Sequence, residues 1–414
     1  MDVIPMTLSE ELKWRGFIKQ TTLDNLFVLD EQKLTFYHGF DASADSQTIG
    51  NLAAMMLDRV FMRHGHKAVI LAGGATSLIG DPGGKDNERL LQDETTIAQN
   101  IAKTEEQLKR IFTGHEFTLV NNLDWTKNMS VLEFLRDIGK HFSMTPLVQR
   151  DYIAKRLGEG GSGISYAEFS YTILQGMDYL QLYDKYGCTL QLGGSDQWGN
   201  CLSGVELIRK TRGAEVNVIT LPLIINKATG KKFGKSEDGA IWLDPDKTSV
   251  YKFYQFWLNV DDAGVGDYLK VFTELNKEAV ATVITDFERD QSTRLAQKTL
   301  AYEVTKLVHG KEKADAVRRA SNVLFGSAKF NLQKTDFELL IKEFAPITYK
   351  EPFQFHNLVV QAGLASSVSE ARRLDSQQAF SLNSVKIVPG TAPVFLDGYN
   401  LLKRGKNSFA IIIK

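Results

Sequence analysis

Apolar positions along the chain change period several times, and each change marks an element. Leu34 to His38 is a short apolar run bounded by polar residues, and after a turn Leu52, Met55, Met56 and Val60 recur at helical spacing. Strand, turn and helix are predicted in that order. A second apolar run, about Ala68 to Ala72, ends in Gly73-Gly74. Asp93 to Phe112 predicts a helix opened by an acidic cap and closed by Lys109 and Arg110 near its C-terminal dipole. Phe117 to Val120 predicts a third strand. Strands alternating with helices, with glycines at strand ends, indicate an α/β fold built on a Rossmann-like, doubly wound parallel sheet. Ligands of such sheets bind beyond the carboxyl ends of the strands.

The pattern turns helical between about Val131 and Tyr183, and this piece reads as an insertion at about 125–185. A strand near Thr189 to Leu192, another helix and a strand from Val218 to Leu221 then complete the sheet, giving a first domain over 1–230. From roughly Val250 to Phe344 helical periodicity dominates, with Leu300, Val304, Leu307 and Val308 on one face, so 231–345 reads as a loop followed by an α-helical domain. The polar span Glu343 to Phe355, with Pro346 and Pro352, is the expected linker. A small α+β module over 353–414 follows, with a helix about Ser367 to Leu374 and strands about Ser381 to Ile387 and Phe409 to Ile413.

Composition narrows the class. In 414 residues, 43% are hydrophobic and 24% charged, which excludes a largely disordered chain. No window approaches the ~18 consecutive apolar residues of a membrane span, so a cytoplasmic protein without a membrane partner is expected. Cys188 and Cys201 are the only cysteines, too few for a disulfide framework, and without paired His motifs no metal site is expected. Net charge is −1, but seven cations face three carboxylates from Phe353 to Lys414, leaving +4 there and −5 elsewhere. A basic module on an acidic body suits an RNA-binding tail; a solvated charged surface is the plainer alternative.

The chemistry concentrates in three segments: Tyr37-His38-Gly39-Phe40-Asp41, Gly193-Gly194-Ser195-Asp196-Gln197-Trp198 and Lys232-Phe233-Gly234-Lys235-Ser236. Two lysines on a glycine-containing loop can bracket a polyphosphate, because glycine lets the backbone approach and each ammonium is a mobile point charge. A P-loop is excluded by spacing, since Thr229 and Ile79 stand where its first glycine must be for Gly234-Lys235 and Gly84-Lys85. The dinucleotide fingerprint Gly-x-Gly-x-x-Gly is also missing after the first strand. Mononucleotide use is favoured.

The order and wording of the three segments resemble tyrosyl-tRNA synthetases of the bacterial type, class I enzymes, and the resemblance covers nearly the whole chain. It implies activation of tyrosine with ATP to tyrosyl-adenylate, then transfer to the 3′ end of tRNA(Tyr). ATP enters as substrate with Mg²⁺, with no permanently bound cofactor. Asp41 to Leu52 is similar to the family's phosphate-facing signature, where Gly39, Asp41, Gly50 and Asn51 are implied to bind ATP. Thr48 departs from the usual first histidine of His-Ile-Gly-His, and Ser43 from a common threonine. Thr48 is the one feature favouring an alternative, a synthetase-derived RNA-binding or regulatory protein with impaired aminoacylation.

By the same resemblance, Tyr37 and Asp178 meet the phenolic hydroxyl of tyrosine, and Tyr171, Gln175 and Asp81 hold its ammonium, with Gln191 completing the pocket. Helical spacing independently puts Tyr171, Gln175 and Asp178 on one face. Gly194 and Asp196 match ribose contacts, Gln197 lies near the reacting carbonyl, and Leu223 and Ile224 match adenine contacts. Lys85 and Arg89 resemble a mobile loop closing on pyrophosphate, and Lys232 and Lys235 take the Lys-Met-Ser-Lys-Ser role, Lys235 also contacting ATP. The helical domain matches the anticodon-binding domain in placement. Arg372, Arg373, Lys403, Arg404 and Lys406 fall in a segment similar to a small ribosomal RNA-binding fold. The family is homodimeric through the insertion, here about Phe134 to Leu147.

Overall fold

The computed structural model describes residues 6–80, 92–149, 151–230, 233, 235–236, 239–325, 330–349, 354–391, 393–406 and 408–414, with backbone alone at 151, 152, 235 and 236. Contacts divide the chain into two compact units, Met1–Asp244 with Val260–Ala296, and Pro245–Asn259 with Gln297–Lys414.

The first unit is organised by a six-stranded sheet whose order is β1-β6-β5-β2-β3-β4. Its strands are β1 (Gln20–Thr21), β2 (Thr35–Asp41), β3 (Lys67–Gly73), β4 (Phe117–Asn121), β5 (Cys188–Gly194) and β6 (Asn217–Leu221). Five run parallel, and only the two-residue β1, which the hydrophobic pattern did not reveal, pairs antiparallel with β6. The doubly wound parallel sheet expected from the sequence is therefore present. The chain leaves β2 toward β3 and β4, then returns to add β5 on the opposite side. The switch point falls between β2 and β5, and their carboxyl ends are Gly39 to Asp41 and Gly193-Gly194.

Four helices position the site: α1 (Ile49–Arg63), α2 (Glu94–Ile111), α3 (Tyr166–Tyr186) and α4 (Trp198–Arg212). Asp93 caps α2 as read from the sequence, its side chain accepting from Thr96 N–H at 2.8 Å. The insertion is less regular than its hydrophobic pattern implies. Short helices at Val131–Glu133, Met144–Val148 and Asp151–Leu157 precede α3, separated by π and 3₁₀ turns over Phe134–His141. Successive side chains of β2 point to opposite faces. The Tyr37 ring meets Tyr179 of α3 at 4.9 Å, while His38 turns to Asp58 of α1. Where β3 ends, glycine leaves room for the polar side chains around it: a Cβ on Gly73 would lie 2.3 Å from Thr76 Oγ1 and 2.7 Å from Asp41 Oδ1, and one on Gly74 2.2 Å from Asn121 Oδ1, so either would displace them. Helix α5 (Val265–Phe272) of the same unit receives Phe233, whose ring lies 4.5 Å from Tyr268 and 5.7 Å from Phe272.

The second unit includes the helix Val250–Leu258, α6 (Lys311–Phe325) and a five-stranded sheet of order β11-β10-β12-β13-β9. Here β9 is Ile347–Thr348, β10 Phe380–Leu382, β11 Val385–Lys386, β12 Tyr399–Arg404 and β13 Ser408–Ile413; in the first unit Lys235–Ser236 and Gly239–Ala240 form a separate ribbon, β7 and β8. Helix α7 (Val368–Ser376) and Phe355, Val359, Phe380, Leu402 and Ile412 close its core. Two expectations are corrected. The single strand read over 381–387 is a hairpin, because Asn383 and Ser384 both take positive φ (50° and 64°) in a two-residue turn. The expected linker supplies β9, which pairs parallel with β13.

Candidate active site

A cavity of about 440 Å³ opens at the carboxyl ends of β2 and β5. Its walls bring together every sequence-predicted tyrosine or ATP contact whose side chain or glycine backbone is described: Tyr37, Gly39, Asp41, Ser43, Thr48, Gly50, Asn51, Tyr171, Gln175, Asp178, Gln191, Gly194, Asp196, Gln197, Leu223 and Ile224. Asp81, Lys85, Arg89 and Lys232 lie outside the described residues, and Lys235 is described by its backbone only.

The floor is a buried polar group on α3. Asp178 is 2% exposed and accepts from Asn122 Nδ2 at 3.0 Å and Trp125 Nε1 at 2.8 Å. Burial pushes its carboxyl up to about 7, against the lowering effect of those two donors. Tyr37, 1% exposed, has a hydroxyl with no hydrogen-bond partner among the described residues, and burial raises its pKa well above the ordinary phenol value, so it keeps its proton. Gln191 Oε1 is likewise buried without a partner among the described residues. Unpaired buried polar atoms are costly in a native fold, and their gathering at one cavity fits a ligand that brings matching groups.

Asn122 and Trp125 were not among the residues singled out from the sequence. The available signal was position: the polar pair Asn121-Asn122 sits at the carboxyl end of β4. Asn122 also accepts from Ala75 N–H at 2.7 Å, so it joins the β3 end to Asp178. Tyr171, one turn before Gln175 on α3, donates to Asp41, 3.1 Å from both oxygens, and Thr76 donates to Asp41 Oδ1 at 3.1 Å.

The other wall is the start of α1. Thr48 is its N-cap residue, and Asn51 Oδ1 accepts from both Thr48 N–H (3.1 Å) and Thr48 Oγ1 (2.8 Å). A backbone N–H can only donate, so the oxygen of Asn51 faces Thr48 and the amide NH₂ is left for a ligand. The Thr48 hydroxyl proton is directed at Asn51. This terminus is held against the segment after Lys235: Ile49 N–H donates to Ile241 carbonyl at 3.1 Å and Leu243 N–H to Gln47 carbonyl at 2.9 Å. Phe233 N–H donates to Ile224 carbonyl at 2.9 Å, which ties its loop to the cavity edge.

In the second unit Arg372, Arg373 and Lys406 are exposed. Lys403 donates to the carbonyls of Val323 and Leu324 at the C-terminus of α6, and Arg404 to Leu364 carbonyl at 2.8 Å.

A doubly wound sheet with a cavity at its switch point and a helix N-terminus on one wall defines a nucleotide-using α/β enzyme. The family model for class I tRNA synthetases (W and Y) matches residues 29–326, and the chain belongs to that family. The tyrosine–tRNA ligase of Bacteroides fragilis is 42% identical over 429 aligned residues, covering 99% of this chain and 100% of its own. That of Streptomyces griseus is 44% identical, covering 97% of each chain. The crystal structure of a C-terminally truncated mitochondrial tyrosyl-tRNA synthetase from Aspergillus nidulans is 32% identical, with a TM-score of 0.70 over 78% of this chain and 95% of its own.

Proposed function

We propose that this chain joins tyrosine to tRNA(Tyr), condensing tyrosine with ATP to tyrosyl-adenylate and pyrophosphate and then passing tyrosine to the 3′ end of the tRNA. The observation that carries the reading is that the protonated Tyr37 hydroxyl, unpartnered among the described residues, and the Asp178 carboxylate lie in one cavity. Tyr37 donates to the phenolic oxygen and Asp178 accepts the phenolic proton. Phenylalanine offers neither group and leaves both unpaired; tyrosyl-tRNA synthetases are themselves the standard illustration of this kind of rejection.

The chemistry needs no general base. The tyrosine carboxylate is ionised and attacks the α-phosphorus of ATP in line, so positioning and charge stabilisation supply the rate. Tyr171, Gln175, Asp81 and Gln191 hold the amino acid, while Gly39, Gly50, Gly194 and Asp196 admit the nucleotide. The amides at the start of α1 favour its phosphates. Lys232, Lys235, Lys85 and Arg89 neutralise the departing pyrophosphate. Mg²⁺ arrives with ATP as part of the substrate; among the described residues no three His, Cys, Asp or Glu side chains are grouped to hold a metal. In the second step the terminal ribose hydroxyl of the tRNA attacks the carbonyl and AMP leaves.

Exposed Val131, Leu132, Leu135 and Met144 support homodimerisation through the insertion. No described helix is long and apolar enough to cross a membrane. The cytoplasm is proposed as the compartment on the chemistry alone, because the tRNA substrate is used there. The test is exchange of labelled pyrophosphate into ATP by the purified protein with tyrosine, phenylalanine or tryptophan. Exchange with tyrosine alone is expected; none with tyrosine would sink the reading.

A further inference from the structure

Helix α2 packs inward by Ile97, Asn100, Thr104, Gln107, Leu108 and Ile111, positions that recur at helical spacing. Asn100, Thr104 and Gln107 are polar, yet only 5%, 0% and 3% exposed. Apolar side chains on such a stripe would avoid the cost of desolvation. The polar ones instead bond the irregular stretch 42–47 that joins β2 to α1. Asn100 Nδ2 donates to Ala42 carbonyl at 2.8 Å, Gln47 N–H to Gln107 Oε1 at 3.0 Å and Gln47 Nε2 to Thr104 Oγ1 at 3.5 Å. Backbone groups that no strand or helix satisfies are thereby paired by side chains of α2.

The bonds around Gln107 leave no freedom of assignment. A backbone N–H can only donate, so Gln107 Oε1 faces Gln47 and its NH₂ faces Ser46 Oγ, 3.1 Å away. Ser46 Oγ also accepts from Asp244 N–H at 3.1 Å, and its own proton goes to Gln47 carbonyl at 2.9 Å. This hydroxyl is buried and uses its donor and both acceptor sites. Its three neighbours come from α2, from the stretch before α1 and from 241–244, the chain leaving the ribbon that carries Lys235. Thr48 and Trp242 pair as an antiparallel bridge between the same two stretches. Ser46 is therefore a joint between the two segments read as facing phosphate, and Gln107, which is not part of the cavity wall, holds it.

We propose that Gln107 and Ser46 are positioning residues for the activation step: they fix the start of α1 and the chain beyond Lys235 in one register, so that donors from both converge on the same polyphosphate. This rests on the ligase reading. The rate of tyrosyl-adenylate formation per titrated active site is measured at varied ATP and varied tyrosine for wild type, Gln107→Leu, Gln107→Glu, Ser46→Ala and Gln107→Leu/Ser46→Ala, below the onset of unfolding. Gln107→Leu is expected to lower the saturated rate about tenfold or more, with the KM for tyrosine within about twofold of wild type. Ser46→Ala should lower it in the wild-type background and add less to Gln107→Leu. As the acid, Gln107→Glu presents the same acceptor and donor, so its rate relative to wild type should be recovered at pH 6.

Loss of stability alone would leave the rate per folded site unchanged, and that result in Gln107→Leu and Ser46→Ala overturns the proposal. So does a KM for tyrosine that rises as far as the rate falls, or a Gln107→Glu rate at pH 6 as low as that of Gln107→Leu. Should Gln107→Leu not fold, Ser46→Ala and Gln107→Glu decide. Failure of the ligase reading is distinguishable, because it silences adenylate formation in the wild type.

Discussion

If Asp178 accepts the phenolic proton as proposed, substrate choice is tied to a titration. The Asp178 carboxyl is pushed from 3.8 to about 7 by burial, so between those values the folded chain holds a proton that the unfolded chain has released. Stability of the unligated protein therefore falls as pH rises through that window and is level above it. In the proposed site tyrosine binding runs the other way, since there the ionised form is the acceptor of the phenolic proton: the KM for tyrosine should fall as pH approaches 7 and then flatten. Asp178→Asn should remove this part of both pH dependences and raise the KM for tyrosine about tenfold or more, the scale of a hydrogen bond to a charged group. Exchange kinetics from pH 6 to 9, with urea midpoints over the acid range, check it. An unchanged pH profile in the variant would mean that another group titrates. Tyr37→Phe makes a simpler case. Removing the donor should weaken tyrosine binding and narrow the margin over phenylalanine, read as the ratio of kcat/KM values for the two amino acids.

Helix α3 delivers three predicted pocket residues to one wall, so its start matters for the site. Ser165 caps it and Glu168 closes the box, and Glu168 is also bridged by both terminal nitrogens of Arg156, at 2.8 and 2.9 Å. The pair is buried, at 7% and 4% side-chain exposure. Glu168→Ala removes one partner and leaves a buried guanidinium, so a loss of about 3–5 kcal/mol is expected, measured by urea unfolding. The Arg156 hydrogen bond chiefly holds Glu168 below its usual pKa, so its stabilisation is lost as pH falls through the acid range. Which elements were legible in the sequence follows from the same physics. Strands β2 and β3 are flanked by other strands and covered on both faces, so they read as continuous apolar runs. The two-residue β1 carries no pattern. The β10–β11 turn uses Asn383-Ser384 without the glycine that usually signals left-handed backbone. Asn122 and Trp125 stand 56 and 53 residues from Asp178 along the chain, and only tertiary structure makes them its donors. Tyr171, Gln175 and Asp178 were readable because one helix carries all three.

At the scale of the molecule, the cavity lies within one compact unit and the exposed cations of the C-terminal module within the other. The two chemical steps can therefore be separated by mutation, since adenylate formation uses no RNA and transfer does. Among the five cations read as RNA-binding, Lys403 and Arg404 are engaged with backbone carbonyls, whereas Arg372, Arg373 and Lys406 are exposed. Replacing the first pair confounds folding with binding, because Lys403 satisfies the carbonyl end of α6. The exposed three are the cleaner probe. If each meets a phosphate, Arg372→Ala/Arg373→Ala/Lys406→Ala should reduce the slope of log affinity against log salt by about 2 to 3 and weaken tRNA binding roughly tenfold or more near physiological salt. The KM for tRNA in aminoacylation should rise accordingly, while tyrosine-dependent pyrophosphate exchange holds. Affinity that falls with the salt slope unchanged would mean the cations act through the fold of the module rather than on phosphate. A parallel fall in exchange would place their effect in the catalytic unit.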